Sequence, residues 1–221
     1  MTGFPATFRP RPLARLLVLC LTAALFAPAA SAASHGATAL KELEHFYHSV
    51  HTLHARFSQV LLDSNMQVKQ RARGEVWIQR PGSFRWRYDA PHKRLIVSDG
   101  KTVKLYDVDL SQITVRPVSK ALTSTPAMLL AGGTALDKRF HIKDLGKVGK
   151  TRWVELKPRT HDTDFKSVRL GFRDGRLAVM ELHDTFDETT RIRFSDVRVN
   201  QPIKGSRFQL EAPPGVEVVG G

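Results

Sequence analysis

Few side chains in this chain are arranged for covalent chemistry. Its 221 residues hold one cysteine, Cys20, and nine histidines. Four of those histidines, His45, His48, His51 and His54, recur at every third position. On a helix each three-residue step falls about 60° short of a full turn, so the four spread around the axis and do not converge. His45 and His48 could pinch a metal ion; the competing reading is a solvated or pH-responsive face. The acidic pieces His161-Asp162-Thr163-Asp164 and Asp107-Val108-Asp109 lack a convergent third partner and read as turn residues. No G-x-S-x-G elbow, G-x-G-x-x-G turn, P-loop or H-E-x-x-H pair occurs. The residue types point away from an enzyme, and no metal or cofactor is expected.

What the chain does carry is binding chemistry of the apolar kind. From Gly74 to Lys101 it reads GEVWIQRPGSFRWRYDAPHKRLIVSDGK, strands punctuated by Arg80-Pro81-Gly82, Ala90-Pro91 and Asp99-Gly100. Successive strand side chains point to opposite faces. Phe84, Trp86 and Tyr88 therefore share one face of a strand, and Arg85 and Arg87 take the other. Such a sheet is wet outside and apolar inside.

The elements that must position these residues follow from periodicity. Leu40, Leu43, Tyr47 and Val50 recur at helical spacing, with Ser34 or Thr38 available to cap the helix. After Thr52 the pattern changes to period two. Strands are predicted near residues 53–62, 67–79, 83–89, 93–98, 102–107, 111–117, 139–145, 151–158, 165–173, 176–183 and 189–199. Turn residues separate them, among them Asp63-Ser64-Asn65, Pro81-Gly82, Asp99-Gly100, Asp174-Gly175 and Asp187-Glu188. One segment breaks the pattern: Ser124-Thr125-Pro126-Ala127-Met128-Leu129-Leu130-Ala131 has a capping residue, proline in the first turn and Gly132-Gly133 to stop it. Being almost wholly apolar, it must pack on the apolar face of the sheet. The expected fold is mainly β with α, an incomplete, unclosed antiparallel barrel of about eleven strands with a helical lid over a hydrophobic cavity.

The first residues bear on location. Arg9, Arg11 and Arg15 form a basic n-region, Leu16 to Ala27 an apolar h-region, and Ala30-Ser31-Ala32 an A-x-A cleavage site. The apolar run is short of the roughly 18 to 20 residues that span a bilayer. Residues 1–32 are expected to be a cleaved signal peptide, and 33–221 a single domain in the periplasm. The mature chain then has no cysteine, which excludes disulfides, thiolate catalysis and Cys-based zinc sites and suits an oxidising compartment.

The formal charge is +13. Inside a cell this balance would suggest nucleic acid; export argues against that partner. The basic residues alternate along strands, as in Arg85/Arg87, Arg169/Arg173 and Arg191/Arg193. They read either as a solvated outer sheet face or as a surface tuned to anionic lipid head groups or an acidic docking partner.

Several pieces occur in a fixed order: Phe57-Ser58-Gln59, then Gly74 through Pro81 with Phe84 and Trp86, then Ile96 through Lys101, Tyr106, Thr125-Pro126 with Leu129-Leu130, and Phe208 through Pro213-Pro214-Gly215-Val216. The ordered set, not any single piece, is specific, and by it the chain resembles the LolA family of periplasmic outer-membrane lipoprotein carriers. Two features depart from the family pattern, the basic segment Pro117 to Thr123 and the four histidines from His45 to His54.

The resemblance implies a carrier that takes acylated lipoproteins from an inner-membrane ABC transporter. It shields their acyl chains and delivers them to an outer-membrane lipoprotein acceptor, as a monomer and without a cofactor. It also implies that Arg80 hydrogen-bonds lid-helix backbone and holds the cavity closed, and that Phe84 handles cargo. Trp77 or Ile78 (one must face inward), Phe84, Trp86, Met128, Leu129 and Leu130 are the cavity candidates. Two alternatives share the fold: a periplasmic carrier of another lipid, such as a glycolipid, pigment ester or polyprenoid, and a lipid-sensing regulator. A regulator would usually carry a second domain.

Overall fold

The computed structural model describes residues 38–118, 126–132, 135–160 and 163–220. The expected signal peptide, Ser34, residues 119–125 with the two candidate caps Ser124 and Thr125, Gly133 and the His161-Asp162 pair lie outside the described residues.

Period-two patterning produces a single sheet. Its strands are β1 (Thr52–Leu62), β2 (Val68–Gln79), β3 (Ser83–Ala90), β4 (Arg94–Asp99), β5 (Thr102–Asp107) and β6 (Gln112–Pro117), then β7 (Phe140–Val148), β8 (Thr151–Pro158), β9 (Phe165–Arg173), β10 (Arg176–Asp184), β11 (Thr189–Val199) and β12 (Glu217–Val219). The order across the sheet is β12-β6-β5-β4-β3-β2-β1-β11-β10-β9-β8-β7. The end strands β12 and β7 do not pair with each other, so the barrel stays open, as expected. Neighbours run antiparallel except β12, which pairs parallel with β6. That short twelfth strand was not predicted, because three residues after Pro213-Pro214-Gly215 carry no periodicity.

Register makes the inner face apolar. Leu53, Ile78 and Phe84 lie in one row across β1, β2 and β3; Ala55, Val76 and Trp86 form the next, and Phe57, Gly74 and Tyr88 the third. Gly74 is there because nothing larger fits: a Cβ would lie 1.8 Å from the Arg87 carbonyl oxygen and 3.0 Å from the Phe57 ring.

The outer face of the other half carries a charged row, Glu155, Arg169, Glu181 and Arg191, across β8 to β11. Arg169 Nη2 lies 3.0 Å from Glu155 and Arg191 Nε 2.6 Å from Glu181. Opposite charges facing one another across strands stabilise the ladder. Burial by itself would raise the Glu155 pKa, but the Arg169 hydrogen bond and the Lys157 and Arg169 charges outweigh it and hold the carboxyl low.

The helices lie over the apolar face. Helix α1 (Ala39–Ser49) is capped by Thr38, whose hydroxyl accepts from the Lys41 N–H at 3.3 Å. It buries Ala39, Leu43, Phe46 and Tyr47 against β7 to β10. It also buries Glu42, whose carboxylate meets Arg152 of β8 at 3.1 Å. Helix α2 (Pro126–Ala131) packs on β2 and β3. A third, α3 (Leu136–Arg139), was not predicted; it falls in the gap between the lid segment and β7. Six residues cannot hold a helix on their own in water; α2 is helical because its apolar side chains pack on the sheet.

Candidate functional site

The apolar interior is continuous from α1 and α2 to the sheet. Phe84, Trp86, Ile78, Met128, Leu129 and Leu130 all belong to one buried cluster, with Phe57, Phe46 and Tyr47. Aromatic contacts bind it together. The Phe57 ring lies 4.9 Å from Trp86 and 5.2 Å from Tyr88, and Phe46 meets Tyr47 edge-on at 5.2 Å. Such pairs add about 0.5–1.5 kcal/mol beyond area burial. Trp86 is 2% exposed, and its indole N–H has no acceptor among the described residues. A buried donor without a partner costs about 1–3 kcal/mol.

Trp77 is the correction among the cavity candidates. Ile78 faces the cluster and Trp77 the outer side, since adjacent strand residues cannot share a face. Trp77 is buried nonetheless, stacked on His54 at 4.9 Å with 6° between the rings. His54 itself lies on β1, and His51 in the connection before it, because α1 ends at Ser49. Asn200 fixes that end: its amide donates to the Ser49 carbonyl at 2.8 Å, and its side-chain oxygen accepts from the His51 N–H at 2.8 Å. The helical spacing of the four histidines therefore breaks after the second. Among the described residues, no three His, Cys, Asp or Glu side chains converge in a way that could hold a metal.

Arg80 is the joint between the helices. It leaves the end of β2, and its Nη1 donates to the carbonyls of Phe46, at 2.6 Å, and Val50, both at the C-terminal end of α1. Its Nε and Nη2 donate to the Leu130 carbonyl of α2 at 3.1 and 2.8 Å. The last carbonyls of a helix have no partners within it and carry its negative dipole end, so one guanidinium satisfies both helix ends with the favourable sign. The same group sits over the rings of Phe46 and Tyr47, at 4.4 and 4.7 Å. Burial lowers the arginine pKa and the neighbouring Tyr47 opposes the shift. Two further ties hold α2: the Tyr47 hydroxyl donates to the Leu129 carbonyl at 2.8 Å, and the Gly82 N–H to the Ala131 carbonyl at 2.8 Å. Burial pushes the Tyr47 pKa up, so the phenol keeps the proton it donates.

Beside α1 runs a groove of about 690 Å³, with Leu40, Leu43, Leu136 and Ile142 on its apolar side and Glu44, His48 and Asp137 on its polar side. Leu40 is 42% exposed along it. Sequence reasoning placed Leu40, Leu43 and Tyr47 on one helix face but missed Leu136 and Ile142, which a short helix and an edge strand bring alongside. It also missed Phe46, whose aromatic type one residue before Tyr47 was the available signal. No helix among the described residues is long and apolar enough to cross a membrane.

An open sheet whose apolar face is covered by two helices, joined through a single arginine, holds an interior filled by its own side chains. Residues 48–211 match the family described as outer membrane lipoprotein carrier protein LolA. The chain belongs to that family. It is 42% identical over 184 residues to an outer-membrane lipoprotein carrier protein from Nitrosomonas europaea, covering 83% of this chain and 89% of the relative. It is 40% identical over 201 residues to the protein of the same name from Chromobacterium violaceum, covering 91% and 96%. The fold is shared with a solved uncharacterized conserved protein from Thermus thermophilus at a TM-score of 0.53 and 12% identity, covering 81% of this chain and 95% of the other.

Proposed function

We propose that this protein is a periplasmic lipoprotein carrier. It shields the acyl chains of lipoproteins leaving the inner membrane and hands them to an outer-membrane acceptor, and residues 1–32 are removed on export. The physical need is plain: each exposed methylene costs about 0.8 kcal/mol, so a bare acyl anchor would aggregate or return to the nearest membrane. The observation that carries the reading is Arg80, which joins the C-terminal ends of α1 and α2 above the apolar interior.

Acyl chains enter by parting α1 from α2 and displace Met128, Leu129 and Leu130 from the sheet. Once the lid has moved, the unpaired indole N–H of Trp86 is a donor for an acyl ester carbonyl. Breaking the Arg80 bonds lowers cargo affinity, so release to an acceptor needs no energy source within this chain. The releasing partner is an inner-membrane ABC transporter and the receiving one an outer-membrane lipoprotein.

A solvent-sensitive apolar dye and a triacylated peptide test this. The dye should brighten on the protein and be displaced by the peptide, and Leu129→Glu should abolish displacement. Mass spectrometry of lipid co-purified from periplasm should find acylated lipoprotein. A glycolipid or polyprenoid there, with no competition from the peptide, would assign the cavity to another lipid.

A further inference from the structure

The strong positive charge is not spread evenly in its effect. In the middle of β8 to β11 two outer-face arginines meet acids, Arg169 with Glu155 and Arg191 with Glu181, whereas Arg198 near the end of β11 does not. On the outer face of β1 to β3 the arrangement differs. There the chain after β11 crosses back over the sheet and encloses a pocket of about 490 Å³. His54, Trp77 and Arg85, one register row of three strands, form its floor. Arg198, Lys204 and Arg207 also line it, and no acid does. Among the described residues, none of these four cations has a carboxylate partner within ion-pair distance. Glu75 is turned to His54 and Arg87, at 3.4 and 3.6 Å, and does not line the pocket.

The pocket is held in shape from both ends. The Thr52 hydroxyl donates to the Gln201 carbonyl at 2.7 Å where the crossing segment begins. Arg85 Nη1 donates to the carbonyls of Arg207 and Gln209, at 3.2 and 3.3 Å, and Lys104 to that of Leu210 at 2.9 Å, where it ends. Between them the 3-10 turn Gly205–Phe208 buries Phe208. The Arg207 guanidinium is set over the Trp77 ring at 4.8 Å. Burial and the nearby charges of Arg207 and Arg87 disfavour the Arg85 cation.

We propose that this pocket is an oxyanion site, on the sheet face opposite the lid, that takes a phosphoryl group. Four cations closing on one concavity repel one another unless a multiply charged anion sits among them. A phosphoryl group accepts several charge-assisted bonds at once, bidentate ones from arginine included, and a single carboxylate would leave most of the four charges unmet. The volume lies within the range of small-molecule sites. The two sources of this chemistry for a carrier that visits membranes are an anionic phospholipid head group and a free phosphate ester.

The test titrates the purified protein by calorimetry with inorganic phosphate, then with glycerol phosphate. It also sediments the protein with phosphatidylglycerol vesicles and with phosphatidylcholine vesicles. Arg198→Ala combined with Lys204→Ala removes two exposed liners that make no structural hydrogen bond. Lys147→Ala combined with Lys150→Ala removes equal charge at the far edge of the sheet. We expect one saturable phosphate site, weakened about tenfold or more by the first pair and unchanged by the second. Phosphatidylglycerol binding that is lost in the first pair, and is competed by phosphate, identifies the head group as the source. Phosphate ester binding without vesicle binding identifies the free ester. No saturable binding of any probe, or equal losses in both pairs, overturns the site.

Discussion

At the scale of single residues, the proposed release turns on Arg80, because parting α1 from α2 would break the bonds it makes to both. Hydrogen bonds from a charged group contribute about 1.5–3 kcal/mol, which a ligand that parts α1 from α2 must repay. Removing them should tighten cargo binding about ten- to hundredfold. Arg80→Leu should therefore load normally and release poorly in a transfer assay with purified acceptor. Arg80→Lys keeps the charge but not the fork of donors and should fall between. Transfer at the normal rate by the leucine variant would remove Arg80 from the mechanism. Trp86 offers a separate test. Replacing it by Phe deletes a donor that has no acceptor among the described residues while keeping much of the ring that packs on Phe57 and Phe194. If that donor serves an acyl ester, Trp86→Phe should lower affinity for a triacylated peptide severalfold, while in stability the relief of the unpaired donor and the void left by the smaller ring offset one another. Equal affinity would confine Trp86 to packing.

At the scale of elements, the β2–β3 and β4–β5 hairpins can be tested by stability alone. Gly74→Ala places a methyl group against the Arg87 carbonyl, and that backbone cannot yield without breaking the β2–β3 ladder. A loss of about 1–3 kcal/mol is expected from overpacking, read as a lowered denaturation midpoint. At the β4–β5 turn, the Thr102 and Lys101 N–H groups bond the Asp99 carboxylate at 2.8 Å each and hold its pKa below the ordinary 3.8. A lowered pKa contributes stability above the unfolded value and loses it as pH falls through the folded one. Asp99→Asn should accordingly flatten the acid limb of the melting curve below about pH 4; an unchanged limb would mean the turn contributes nothing there. Strands of this kind were readable in advance because alternation and Asp-Gly turns are local signals. β12, α3 and the groove residues Leu136 and Ile142 were not, since each owes its place to a distant neighbour. The Trp77–Ile78 ambiguity had the same origin: both are large and apolar, and only the row fixed by Phe84 and Leu53 decides which faces in. The four histidines do not share one helix, because Asn200, remote in sequence, ties off its end at Ser49 and leaves His54 in the strand expected from residue 53 on.

For the whole molecule, the question is which parts separate when cargo enters. The strands are tied edge to edge by continuous ladders from β12 to β7. The six-residue α2 rests on side-chain packing, the Arg80 fork, the Tyr47 hydroxyl and the Gly82 N–H. Local opening follows the parts with the fewest ties of their own, and a helix this short has no stability apart from its contacts. The opening should therefore be a movement of the helices over a sheet that stays intact, not an expansion of the barrel. Hydrogen exchange with and without a bound triacylated peptide distinguishes the two. Amides near Leu130 and Gly132 and at the end of α1 should exchange faster when the peptide is bound, because the closing bonds are then broken. Those of β1, β2 and β3 should be unchanged or slower, because the acyl chains cover the face that the lid has left. Arg80→Leu without ligand should reproduce the faster exchange in the helices alone. Faster exchange along β7 and β12 instead would place the opening at the sheet edges and make the helices a fixed wall.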